Sequence, residues 1–183
     1  MNDRLTAREL AYCGLFGATA LLLPVLFHLV HLGHVFLPMY LPLVALAFYV
    51  SPVAAASTAF IVPLLSGAVT GMPPFFPPVA AFMALELSFM AGVLSAIHTR
   101  WPRQNPLLSL LPTLLFGRVV YVLLVVLFSR IVELPEKFMA GLSLLGAWPG
   151  LILIAVAVPT LVRGVPSTNH NRSKEKPEVN HGQ

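Results

Sequence analysis

Six stretches of almost unbroken apolar residues divide this chain, and they constrain its fold more than any other feature. They run from about Leu10 to Leu29, Phe36 to Val50, Pro52 to Val69, Val79 to Ile97, Leu107 to Ser129 and Ala140 to Val162. A helix needs about 20 apolar residues to cross the roughly 30 Å hydrocarbon core of a bilayer. All but the second stretch, which is opened by Pro38 and Pro42, approach that length. A soluble domain could not hide so much apolar surface, because near 150 residues about a third of the chain surface still faces water. Only 10% of the residues are charged while 57% are hydrophobic, and the mean hydropathy is +0.85. A soluble enzyme is therefore excluded. The sequence predicts an all-α membrane protein, a six-transmembrane-helix bundle over residues 1–165, followed by a polar tail from Pro166 to Gln183 that is expected to be disordered.

Prolines mark most of the seams: Pro52, then Pro73, Pro74, Pro77 and Pro78, then Pro102 and Pro106, then Pro135. Proline fixes φ and lacks an N–H, so it ends or bends a helix. Pro63, Pro112, Pro149 and Pro159 fall inside the expected spans, where neighbouring helices can tolerate a kink. The net charge of +4 could suggest nucleic acid, but the basic residues do not cluster. They read better as topology signals. With six spans and the N-terminus inside, Arg4, Arg8, Arg100, Arg103, Arg163, Arg172, Lys174 and Lys176 are cytoplasmic, and only Arg130 and Lys137 are outside. Both termini are expected on the cytoplasmic side of the cell membrane. Ala18-Thr19-Ala20 resembles a signal-peptidase site, yet the apolar run continues through Leu26, which argues against cleavage.

Four groups of residues could carry function. Ala7, Ala11, Gly14 and Ala18 recur at helical spacing along one stripe of the first span, where small residues let another helix approach closely. Glu86 and Arg118 are ionisable residues deep in the membrane; each isolated charge costs roughly 2.5–3.5 kcal/mol or more, so they should face inward and pair or meet a ligand. Counted from the outer ends they lie about 11 Å and 17 Å deep, and Tyr121 shares the helical face of Arg118. The segments Phe36 to Pro42, with Met39 and Tyr40, and Thr70 to Pro78, with Met72 and Pro73, are apolar and proline-stiffened although they are expected to face water. They read as lids over an outward-opening pocket, the alternative being residues that sit among lipid headgroups. His28, His31 and His34 look metal-like, but their spacing does not close a tetrahedral shell; interfacial packing, or hydrogen bonding of a ligand with His31 as the candidate, accounts for them better. The single cysteine, Cys13, excludes an internal disulfide and any cysteine-built metal site. There is no Walker A pattern, so energy must come from partners.

Leu-Pro-Met-Tyr-Leu-Pro at Leu37 to Pro42, Thr-Gly-Met-Pro-Pro at Thr70 to Pro74, Met-Ala-Leu-Glu-Leu at Met83 to Leu87 and Gly-Arg-Val-Val-Tyr at Gly117 to Tyr121 add to these features. In that order, over Ala7 to Arg163, the chain resembles the substrate-binding (S) component of an energy-coupling factor (ECF) transporter. The resemblance implies a membrane-embedded vitamin-binding subunit that joins a transmembrane coupling subunit and two ATPases and topples in the bilayer to carry its ligand inward. It further implies that Ala7, Ala11, Gly14 and Ala18 correspond to the surface that meets the coupling subunit. One departure is Tyr40, which stands where related sequences often carry His. No cofactor, metal or nucleic acid is expected.

One buried Arg beneath apolar lids independently suits a small, partly anionic organic molecule. An intramembrane enzyme using Glu86 or the histidines as a general base is the alternative; it lacks a second carboxylate or nucleophile beside them. A self-sufficient secondary transporter would call for two similar inverted halves, which the sequence does not display.

Overall fold

The computed structural model describes residues 6–29, 38–76, 78–131 and 148–164. Within them all regular structure is helical. We label the helices α1 (Ala7–Leu29), α2 (Tyr40–Leu46), α3 (Pro52–Thr70), α4 (Val79–Arg100), α5 (Pro106–Ile131) and α6 (Trp148–Gly164). Helices α1, α3, α4 and α5 are long and apolar enough to cross a membrane, and α6 is a shorter apolar helix. The chain is thus a membrane-embedded, multi-pass helical protein. Its outer faces confirm the solvent: Leu15, Leu22, Ile61, Leu111, Leu115, Leu123 and Ile152 all point away from the bundle, which suits hydrocarbon and would be costly in water.

The second expected span differs. Helix α2 has seven residues, about 10 Å at 1.5 Å per residue, too short to cross a bilayer. It is buried inside the bundle instead, touching α1, α3, α4 and α6. Phe36 and Leu37 of that expected span, and Ala140 to Ala147 of the sixth, lie outside the described residues, as does the tail. Pro42 falls in the first turn of α2, where its missing N–H has no carbonyl to reach. The helix closes with tighter bonds from the Phe48 and Tyr49 N–H groups to the Ala45 and Leu46 carbonyl oxygens, which satisfy its last carbonyls before the chain turns.

Around α2 the other helices follow one another as neighbours in the order α1, α3, α4, α5, α6. The α3–α4 pair is the most extensive contact. Small residues meet there: a Cβ on Gly92 of α4 would lie 3.3 Å from the Ala56 Cβ of α3. Small side chains let backbones approach where lipid supplies no hydrophobic drive between helices. Helices α4 and α5 approach closely at Gly117, where a Cβ would collide with the Met90 sulfur.

Helix starts are set locally. Thr6 and Glu9 form a capping box at α1: the Glu9 N–H donates to Thr6 Oγ1, and the Thr6 N–H donates to Glu9 Oε2. Helix α3 begins with Pro52 after an extended Ser51 and ends at Gly71, whose φ of 74° suits glycine. The other oxygen of Glu9 accepts from the Ser51 N–H at 3.0 Å, so the starts of α1 and α3 are fastened together. At the same end, Tyr49 stacks on Tyr12 and Phe16 of α1, Ser95 of α4 donates to the Val50 carbonyl, and the Tyr49 hydroxyl donates to the Leu161 carbonyl of α6. The first turns of α1 and the last turns of α6 therefore share one end of the bundle.

Candidate functional site

The buried hydroxyls of the interior are satisfied by backbone: Ser66 donates to Met72 O, Ser95 to Val50 O, Ser109 to Pro106 O and Thr113 to Ser109 O. Glu86 and Arg118 are different. Glu86 is completely buried in the middle of α4, and Arg118 on α5 is 6% exposed. Arg118 Nη1 lies 3.9 Å from Glu86 Oε1, close enough for charge attraction and too far for a hydrogen bond. The Tyr40 hydroxyl, in the first turn of α2, donates to Glu86 Oε2. The guanidinium carbon sits 4.8 Å from the centre of the Tyr40 ring and 5.8 Å from that of Tyr121. Tyr121 is one helical turn beyond Arg118. Three helices thus contribute a buried cluster of Tyr40, Glu86, Arg118 and Tyr121.

The cluster is not self-sufficient. Glu86 Oε1, Arg118 Nε and Arg118 Nη2 are buried without a hydrogen-bond partner. Each such group costs about 1–3 kcal/mol, more when charged, so a purely structural ion pair would be expected to close up into a bidentate contact at about 2.7–2.9 Å. His98 Nε2, near the far end of α4, is a further buried nitrogen without a partner. Its ring meets Phe48 edge-on. His98 is not among the residues singled out from the sequence, where its signal is an imidazole in the last turn of an apolar span.

The structure separates the residues singled out from sequence. Tyr40, Glu86, Arg118 and Tyr121 are brought together. Met39 is buried just before α2, so the expectation that the Phe36 to Pro42 segment faces water is corrected for Pro38 to Pro42: Pro38, Met39, Tyr40 and Pro42 are buried and Leu41 is half-buried. Apolar composition reflects burial against protein there. Met72 and Pro73 stand apart, in the loop after α3, with Met72, Phe75 and Phe76 exposed. That loop folds back over Gly67, where a Cβ would meet the Pro73 carbonyl oxygen at 2.7 Å and the Phe75 ring at 3.1 Å. The contacts holding the buried cluster involve neither Met72 nor Pro73. His31 and His34 lie outside the described residues, as does the side chain of His28. Among the described residues no three His, Cys, Asp or Glu side chains come together as metal ligands would.

The small-residue stripe is on the surface. Ala7, Ala11, Gly14 and Ala18 are all exposed, and a Cβ on Gly14 would meet nothing within 4 Å. Only 11% of the apolar stretch of α1 is buried, against 44% of that of α4. No family model, curated protein or solved structure matches the chain.

Chemically, the cluster offers two forward-facing donors on a fixed cation, one carboxylate acceptor and two aromatic faces. Those groups are suited to binding a polar molecule.

Proposed function

We propose that this protein is the membrane-embedded substrate-binding subunit of an ECF-type importer, capturing a vitamin-like small organic molecule and passing it inward with a coupling subunit and two ATPases. The observation that carries the binding role is the buried Tyr40–Glu86–Arg118–Tyr121 cluster with three polar atoms left unpartnered. Ionisable groups inside a membrane are costly, and where they are kept they pair with one another or mark substrate and ion sites. A small molecule with complementary polar groups would supply the missing hydrogen bonds.

The partner half of the proposal rests on α1. Its exposed stripe of Ala7, Ala11, Gly14 and Ala18 suits close approach of a second helix in lipid. The orientation proposed is cytoplasmic for both termini in the cell membrane. The Lys and Arg distribution supports it, as does the shared end of α1 and α6.

Co-expression with an ECF coupling subunit and its ATPases tests the reading. The protein should co-purify with them, and Gly14→Leu should reduce the yield of complex. Failure of the unaltered protein to associate would overturn the transporter role.

A further inference from the structure

The unsatisfied part of Arg118 has a definite shape. Nε and Nη2 lie along one edge of the guanidinium, and both are buried without a partner. Nη1 is turned toward Glu86 Oε1, and the aromatic rings of Tyr40 and Tyr121 lie against the group. Two parallel N–H donors on one planar edge match the two oxygens of a carboxylate. Glu86 has the complementary deficit: Oε2 receives the Tyr40 hydroxyl and Oε1 receives nothing. An ionised carboxylate only accepts, so Oε1 calls for an N–H or O–H.

Resting on the binding role proposed above, we infer the class of ligand: a small carboxylic acid carrying a hydroxyl, amide or amine donor a few bonds from its carboxylate. The carboxylate takes the Nε–Nη2 edge of Arg118, and the donor takes Glu86 Oε1. A phosphate monoester fits less well. With Glu86 and Arg118 cancelling each other, it leaves nearly two excess negative charges in the interior where a carboxylate leaves one, and excess charge is expensive there. A neutral amide offers a single carbonyl oxygen to that two-pronged edge where a carboxylate offers two charged ones, so it binds there more weakly.

The test is identification of what the protein retains. Full-length protein is purified in detergent and its bound small molecules are extracted and identified by mass spectrometry, with R118K alongside. The expected result is a carboxylic acid bearing an adjacent donor, retained about tenfold less by R118K because lysine offers a point charge in place of a two-pronged edge. A retained molecule without a carboxylate, or equal retention by R118K, overturns the inference while leaving the binding-subunit role standing. That role fails separately, by loss of association with the coupling module.

Should the protein emerge empty, thermal melting with 3-hydroxypropionate, propionate and 3-hydroxypropanamide at matched ionic strength decides. The hydroxy acid should raise the melting temperature most and the amide least. E86A, which removes the acceptor altogether, should still respond to both acids but no longer prefer the hydroxylated one. Equal shifts from acid and amide, no shift from any of them, or an unchanged preference in E86A each overturn it.

Discussion

The hydroxyl of Tyr49 donates to the carbonyl oxygen of Leu161 at 3.1 Å, joining positions 112 residues apart. The same ring stacks on Tyr12 with centroids 5.5 Å apart, so one side chain ties α1, the turn after α2 and α6 together. Removing the hydroxyl alone, in Tyr49→Phe, should lower stability by about 1 kcal/mol. Tyr49→Ala, which also empties the aromatic stack, should cost about 3–5 kcal/mol. Thermal unfolding in detergent measures both, and equal effects would mean that the stack contributes nothing.

Gly117 and Gly14 should respond oppositely to added bulk. A Cβ at Gly117 runs into Met90, so Gly117→Ala should destabilise the bundle by about 1–3 kcal/mol through overpacking. Gly14→Leu points into open space and should leave the melting temperature unchanged while weakening association with the coupling subunit. If Gly14→Leu melted as low as Gly117→Ala, the stripe would belong to the protein's own packing.

Much of this was legible in the sequence, and the reasons differ by element. Glu86 and Arg118 stand out because a charge in a long apolar run is too costly to be incidental, and Tyr121 follows from helical spacing. Tyr40 was reached through the resemblance and a supposed lid. Hydropathy could not place it, since an apolar residue reads alike whether lipid or protein covers it. For the same reason the Phe36 to Val50 stretch resembled a span, whereas α2 is a buried half-length helix. The fastenings at the end of the bundle, Glu9 to Ser51 and Tyr49 to Leu161, join residues far apart in the chain. No local pattern encodes such a pair.

Glu86 and Arg118 should prove energetically coupled. Glu86→Leu or Arg118→Met alone leaves an uncompensated charge in the interior, and each should cost about 3–5 kcal/mol. The double variant should cost clearly less than both added together, because it removes the charges as a pair. Additive losses in this double-mutant cycle would mean that the 3.9 Å approach carries no interaction.

Glu9 serves two helices at once, accepting from Thr6 and from the Ser51 N–H. Glu9→Ala should therefore cost about 1–2 kcal/mol, as a lost cap and a lost inter-helix bond. Hydrogen exchange should rise at the first turns of both α1 and α3. A rise confined to α1 would show that the Ser51 contact does not hold α3.

Side preference can be read by cysteine labelling in a background lacking Cys13. Met72, exposed after α3, should react as Met72→Cys with a membrane-impermeant reagent added outside intact cells. Arg103→Cys, between α4 and α5, should react only after the cells are opened. The reverse pattern would invert the orientation inferred from the Lys and Arg distribution.

Helix α2 connects two things that otherwise lie far apart. Its first residue, Tyr40, holds the Glu86 carboxylate, and nine positions later Tyr49 is wedged against Tyr12 and Phe16 of the lipid-facing α1. The segment that fixes the Glu86 carboxylate is therefore the same one that is packed directly against α1, so the buried cluster and the lipid-facing helix share a single stretch of backbone.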